Sequence, residues 1–424
     1  MMERTIDSPE PPLEPSAIHP QAWWRALRVR NFQKVWTVAT SAQFGYWFSS
    51  IAFQWIVAQA TGNNAVVLGL LYFVMLLPIL LLSVPAGLLA DRFDRRRIVV
   101  VCQTGIVIVS ITSAALVYWG PPPLPALLLC GFAVGTAHSM ATPAYTSLVA
   151  NSVPRQDLPS AVPLQAIGMN LARILGPVAA GAIIYLGGTA ESLLVYGLFG
   201  LLGLVVILRV PRLQQQVADS TSTSVIRQIR AGFAHARARP PAALALAIVA
   251  MCSLFAASYL AQLPVLAANS TDVTGAFVLL TSSGGLGSLV GVLFVAIRSW
   301  SSASVTPAAI MLLAMGLVVA LLGYGPPLGF EMVLIGIAGG LQFAIMTTCN
   351  RVIQQVVADS HRGRVMSLYA ITWGGFLPIG GLWLGLLIGG VGITWAFTIN
   401  GAITVTFALW ALRPSTRRSG TTAY

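Results

Sequence analysis

Apolar residues dominate the chain from Trp36 onward, in long stretches separated by short polar breaks. A helix of about 20 apolar residues crosses a hydrocarbon core roughly 30 Å thick. The pattern predicts twelve such spans: 36–58, 66–89, 97–119, 124–149, 161–186, 190–208, 243–267, 274–297, 305–323, 329–350, 365–388 and 391–412. Residues 1–35 are polar and Pro-rich instead, and no stretch there has the form of a signal peptide. The one long internal break, 209–242, divides the chain into an N-terminal half (36–208) and a C-terminal half (243–412) of six spans each, followed by a tail at 413–424. Within that linker Val225, Ile226, Ile229 and Phe233 recur at helical spacing among Arg227, Arg230, Arg237 and Arg239. This predicts a basic amphipathic helix on a membrane surface, and 21–36, with Trp23, Trp24, Leu27 and Phe32, predicts another. A solvated linker helix with snorkelling Arg is the plainer alternative.

Charge sets the orientation. Of the 24 Lys and Arg residues, all except Arg173 fall in the two tails, in the breaks after spans 2, 4, 6, 8 and 10 or, for Arg97, at the first residue of span 3 beside such a break. The breaks on the opposite side carry none, so the positive-inside rule places both termini in the cytoplasm. An odd number of spans would destroy this segregation. The net charge of +12 is therefore a topology signal and no sign of nucleic acid. With 56% hydrophobic and 8% charged residues, against about 25% charged in soluble domains, a soluble enzyme and a disordered chain are both excluded. The fold class is an all-α integral membrane protein with twelve transmembrane helices in two six-helix halves, expected as a monomer among membrane lipids.

Several chemistries are absent from the pattern. The only lysine, Lys34, follows Gln33, so the chain has no Gly-Lys-Ser/Thr phosphate loop. His19, His138, His235 and His361 are scattered, and Cys102, Cys130, Cys252 and Cys349 all lie in predicted spans without motif spacing. No metal, cofactor or catalytic nucleophile is expected, and the chain does not read as an enzyme.

The motifs carry a resemblance. After span 2 comes Gly87-Leu-Leu-Ala-Asp91-Arg92-Phe-Asp94-Arg95-Arg96-Arg97. It resembles the signature loop of the major facilitator superfamily, with Asp94 where that pattern usually has Gly. A Gly there permits close helix approach, and an Asp at a helix end pairs with Arg or accepts helix N-terminal amides. Asn31-Phe32-x-x-Val-Trp36, Val153-Pro154-Arg155-x-x-Leu158, Asn170-Leu-Ala-Arg173-Ile-Leu-Gly176-Pro177-Val-Ala-Ala-Gly181 and Arg362-Gly363-Arg364-Val-Met-Ser-Leu-Tyr369 narrow the likeness. Together they resemble the bacterial transmembrane secretion effector branch, which includes enterobactin exporters and macrolide-efflux proteins. The resemblance covers about residues 31–412. It implies a bacterial inner-membrane exporter of small molecules, commonly driven by proton antiport, with Gly176-Pro177 matching the antiporter motif. Interrupted helices at corresponding places, Gly176-Pro177 in span 5 and Pro378-Ile-Gly380-Gly381 in span 11, point independently to an alternating-access cavity. The Gly-rich run Ser282–Ser288 suits close helix packing.

Candidate cavity residues follow from polarity in the wrong place. Arg173 is the one cation inside a span, where a charge costs several kcal/mol unless it meets water or a partner. It either binds an anionic or carbonyl group of cargo, or follows proton movement, or ties helices together, and Asn170 lies three residues earlier on the same face. His138 heads a polar stripe with Thr142 and Tyr145, either pore-facing and titrating near neutral pH or hydrogen-bonded inside. Gln43, Tyr46, Trp47, Ser50 and Gln54 give span 1 a polar and aromatic face. Tyr259, Gln262, Gln342, Tyr369, Trp373 and Phe376 extend the set, which suits bulky, mostly apolar cargo. The proton carrier is harder to place. Relatives often carry an acid after the Gly of span 1 and two residues before the Pro of span 4, where this chain has Tyr46 and Ala141. Glu191, Glu331 and His138 are the proton-coupling candidates, with indirect coupling through Asp91 and Arg173, or a facilitator without coupling, as the alternatives. An importer or lipid flippase of the same fold, or a membrane scaffold acting through its basic linker, are the competing functions.

Overall fold

The computed structural model describes residues 24–211, 232–298 and 304–413, and their regular structure is entirely helical. The helices are α1 (Arg30–Thr61), α2 (Ala65–Arg92), α3 (Arg95–Tyr118), α4 (Leu124–Asn151), α5 (Leu158–Leu186) and α6 (Thr189–Leu208). After the linker, α7 (Pro240–Met251) runs through a π turn at Cys252–Ala256 and a 3-10 segment at Ala257–Gln262 into α8 (Leu263–Ala267). Then come α9 (Val273–Ile297), α10 (Thr306–Leu322), α11 (Leu328–Val356), α12 (Asp359–Val391) and α13 (Ile393–Ala411). Ten helical segments among the described residues are long and apolar enough to cross a membrane. Two further helices fall short of that test: α10, apolar but 17 residues long, and α1, diluted by Gln, Ser and Thr. The polar ends of α1, α11 and α12 stay helical well beyond the predicted apolar limits, because backbone hydrogen bonds continue past the apolar stretch. The splits inside 161–208 and 365–412 fall at Gly188 (φ 110°) and Gly392 (φ 82°), backbone conformations open to glycine alone at little cost.

Helix ends are closed by side chains. Asn64 accepts hydrogen bonds from the Val66 and Val67 amides at the start of α2, and Asp272 accepts one from Gly275 at the start of α9. Asp94, standing where the signature loop usually has Gly, accepts the Arg96 amide at 2.9 Å and caps α3. The signature cations cap carbonyls at helix C-termini, where positive charge is favoured. Arg95 Nε donates to Ala90 O, and Arg96 donates to Ile207 O and Leu208 O at the end of α6. Lys34 Nζ donates to Arg209 O, and Arg239 donates to Val356 O at the end of α11.

Of the amphipathic helix expected over 21–36, residues 21–23 with Trp23 lie outside the described residues, and 24–36 form two elements instead. Arg25–Arg28 form a 3-10 turn, Val29 is extended, and α1 begins at Arg30. The turn is held to the protein: the Ala26 amide donates to Ser160 Oγ, and Arg25 pairs with Asp157 at 3.4 Å. These tertiary partners override the period of the apolar residues. Of the predicted linker helix, Val225, Arg227 and their neighbours through Arg230 lie outside the described residues. Residues 232–237 are helical, with Phe233 exposed and His235 stacked on His361 at 4.1 Å.

The helices before the linker pack chiefly on one another, as do those after it, and the two groups meet along α2–α12 and α5–α9. One end of this junction is closed. There a Cβ on Gly69 would meet Gly381 O at 2.6 Å, Gln262 Nε2 donates to Ala65 O at 3.1 Å, and Trp55 stacks on Phe277 at 4.9 Å. At the other end a Cβ on Gly87 or on Gly363 would meet nothing within 4 Å. The close approach expected at Gly87 is therefore not made in this state.

The break between α7 and α8 frees backbone carbonyls in the apolar interior, where each needs a donor. Asn400 of α13 supplies one: its Nδ2 donates to Phe255 O at 3.2 Å and Ser258 Oγ at 3.0 Å, while its Oδ1 accepts from Trp383 Nε1. Asn400→Leu leaves the Trp383 donor and part of the Phe255 carbonyl unpaired, a loss of about 1–3 kcal/mol. We expect a lowered thermal midpoint in detergent for this variant and a near-native one for Thr398→Ala, which removes only a hydroxyl bonded within its own helix.

Candidate functional site

A cavity of about 370 Å³ lies at the junction of the two helix groups, lined by residues of α1, α2, α4, α5, α9, α11 and α12 and of the broken α7–α8 segment. Its volume falls in the range of small-molecule sites. Apolar side chains such as Met75, Leu76, Ile79, Leu280 and Leu377 make most of the wall. Polarity enters through Gln43, Ser50, Gln54, Ser139, Thr142, Thr281 and Gln342, and through one cation, Arg173. No Asp or Glu lines the cavity among the described residues.

Arg173 projects from near the middle of α5. Its guanidinium carbon lies 5.2 Å from the ring centre of Trp47, 4.9 Å from that of Phe343 and 4.8 Å from that of Trp373. Trp47 belongs to the first helix group, Phe343 and Trp373 to the second, so the cation is held between the two. Each such contact contributes about 0.5–2 kcal/mol, the more where water is excluded. Three π faces therefore stand in for the acid that a buried cation ordinarily needs. Arg173 Nε is buried with no hydrogen-bond acceptor among the described residues. The His138 ring stacks on Tyr46 at 3.7 Å, and Tyr46 meets Trp47 edge-on, so imidazole, phenol and indole form one continuous wall.

Gly176 is a contact made possible by the absence of a side chain: a Cβ there would meet Trp47 Cβ at 3.0 Å. With Pro177 on the cavity wall, the Gly-Pro pair lets α5 press against α1 beside Arg173. A second hollow of about 450 Å³, near the end of α11, carries Arg351 and Arg362 with Asn350 and Gln354.

The structure brings together Gln43, Tyr46, Trp47, Gln54, His138, Arg173, Tyr259, Gln342 and Trp373. It does not bring Asn170 or Gln262 to the cavity. Asn170 is exposed and bonds Ala166 O within its own helix, and Gln262 is spent on Ala65 O at the closed end. Glu191 is exposed near the start of α6, and Glu331 is buried in the first turn of α11; neither lines the cavity. Arg364 and Arg92 are exposed on the surface, Arg97 approaches Asp94 at 3.9 Å, and the Asp91 side chain lies outside the described residues. Phe343, Tyr72 and Ser139 line the cavity without having been marked in the sequence.

A bundle of membrane-length helices in two packed groups, with a ligand-sized cavity between them, is the architecture of a transporter. The chain belongs to the transmembrane secretion effector family of the major facilitator type, whose family model matches residues 21–419. A staphyloferrin A transporter of Staphylococcus aureus is 30% identical over 141 residues. That match spans 33% of this chain and 35% of the relative. Among solved structures, a point variant of the nucleoside transporter NupG aligns with a TM-score of 0.74 at 14% identity, covering 90% of this chain and 98% of that one. A POT family transporter in complex with 5-aminolevulinic acid aligns at 0.69 and 16% identity, covering 92% and 97%. A bacterial homolog of the human lysosomal transporter Spinster aligns at 0.65 and 15% identity, covering 90% and 94%. These likenesses establish the fold.

Proposed function

We propose that the protein exports a small organic molecule across a bacterial cytoplasmic membrane by alternating access, using the cavity around Arg173. The observation that carries this reading is the cavity's position: it lies where two helix groups meet, clamped at one end and unclamped at the other. Twelve crossings, with α1 and α10 counted, put every described Lys and Arg except Arg173 on one side, read as the cytoplasm. On that orientation the unclamped end faces inward and the Gln262–Ala65 end faces out. The outward direction follows the family's description as secretion effectors. The sequence expectation of proton antiport rests, within this cavity, on His138, the one of the three candidate proton carriers that lines it; Glu191 and Glu331 stand apart from it.

Everted membrane vesicles test the proposal. Vesicles carrying the native protein or Arg173→Ala are energised in a cytosolic small-molecule extract, and their contents are compared by mass spectrometry. Compounds accumulating only with the native protein are the expected result, and His138→Gln is expected to abolish the pH dependence of that uptake. Accumulation confined to right-side-out vesicles would overturn export in favour of import.

A further inference from the structure

The charge of the cavity is one-sided. Among the described lining residues Arg173 is the only formally charged group, and no carboxylate offsets it. The three rings around the guanidinium soften the cost of holding a cation in an apolar site. They do not satisfy its donors: π faces take the charge over the plane, while the in-plane N–H groups need oxygen acceptors. Nε is buried and has none. A planar guanidinium with an open edge fits a carboxylate or another acidic oxyanion in two parallel hydrogen bonds. Much of the remaining wall is apolar, with Met75, Leu76, Ile79 and Leu377, and its other polar lining groups, such as Gln43, Gln54, Thr142 and Gln342, carry no formal charge. A cationic ligand would meet Arg173 without any acid to balance it. A neutral ligand would leave the open edge incompletely matched.

We infer that the cavity selects amphipathic organic anions, compounds with one acidic oxyanion on a bulky apolar or aromatic body. The oxyanion takes the open edge of Arg173, and the body lies against Trp47, Trp373 and the aliphatic wall. This inference rests on the transport reading of the same cavity, although binding can be measured without transport.

A charge-only ligand series tests it. Full-length protein in lipid nanodiscs is titrated with 1-pyrenebutyrate, 1-pyrenebutanol and 1-pyrenebutylamine, which share a body and differ in the terminal group. Energy transfer from the protein's tryptophans to pyrene reports binding, with empty nanodiscs subtracted, and the Arg173 variants assign it to the cavity. The butyrate is expected to bind roughly tenfold or more tightly than the alcohol, the scale of a charge-assisted hydrogen bond, and the amine most weakly. Arg173→Gln is expected to reduce the anion's advantage to less than about twofold, while Arg173→Lys keeps the preference for anions at lower affinity. Equal binding of the three, preference for the amine, or no binding of the butyrate to the native protein would overturn the inference. So would an undiminished anion preference in a folded Arg173→Gln protein. Should the anion preference hold while vesicles show no export, the proposed function fails and the ligand class stands; the reverse pair of results separates them the other way.

Discussion

Arg173→Ala is expected to abolish transport while the protein reaches the membrane at a near-native level. The two effects part because the side chain sits in a cavity rather than in a packed core. Truncation removes the donor edge facing the ligand, a loss of about 1.5–3 kcal/mol in binding, or roughly 10- to 150-fold. It also removes a cation that lacks a carboxylate among the cavity's described lining residues, so no opposite charge is stranded there and the desolvation cost of the guanidinium disappears. The lost cation–π contacts offset part of that relief, leaving stability nearly unchanged. Arg173→Lys restores the charge without the flat, forked donor set that lies between Trp47 and Trp373, and is expected to recover only a minor part of transport. Uptake into everted vesicles, set beside the amount of membrane-inserted protein, decides the matter. Native-level uptake by the Ala variant would remove Arg173 from the cargo site.

The second large effect is on folding. Gly287 and Gly291 of α9 face Gly336 and Gly340 of α11, and an added Cβ on Gly287 or Gly291 would overlap the opposing Gly336 or Gly340 carbonyl. Helices associate in lipid through such close backbone contact, and the obstacle is backbone that cannot rotate aside. Gly287→Val must separate the two helices, costing about 3 kcal/mol or more. We expect little monodisperse protein after extraction in mild detergent. The same junction supplies its own control. A Cβ on Gly336 would meet only Ser283 O at 3.5 Å, so Gly336→Ala is expected to extract and melt close to the native protein. Equal behaviour of the two variants would contradict this packing.

Much of this arrangement is legible in the sequence. Arg173 stands out because an apolar stretch tolerates a cation only for a reason. The face of Gln43, Tyr46, Trp47 and Gln54 follows from helical spacing in a regular α1. The glycine run of α9 announced a close contact. Where the reading went astray, local geometry intervened. Tyr259 and Gln262, three apart, would share a face in a regular helix, but the π and 3-10 turns at 252–262 rotate them apart. Tyr259 then lines the cavity while Gln262 bonds Ala65 O at the closed end. Nothing stronger than Pro264 and scattered serines marks that break, because its stabilising donor, Asn400, lies 145 residues from Phe255. Asn170 was paired with Arg173 by spacing, yet its amide finds Ala166 O more readily than the cavity. Phe343 escaped notice because an aromatic ring in an apolar helix carries no polarity to mark it.

If the cavity carries a monoanion as inferred, the lone cation also decides which half of the proposed cycle feels voltage. Without a carboxylate among the described lining residues, the empty cavity carries one positive charge, and a bound monoanion brings it to neutrality. A membrane potential is worth about 2.3 kcal/mol per elementary charge per 100 mV. It therefore acts on the empty carrier and passes over the loaded one. With the cell interior negative, the pull on Arg173 would then favour the inward-facing form, so the proposed exporter, where no coupled proton adds to the charge, would be reset by the resting potential after each release.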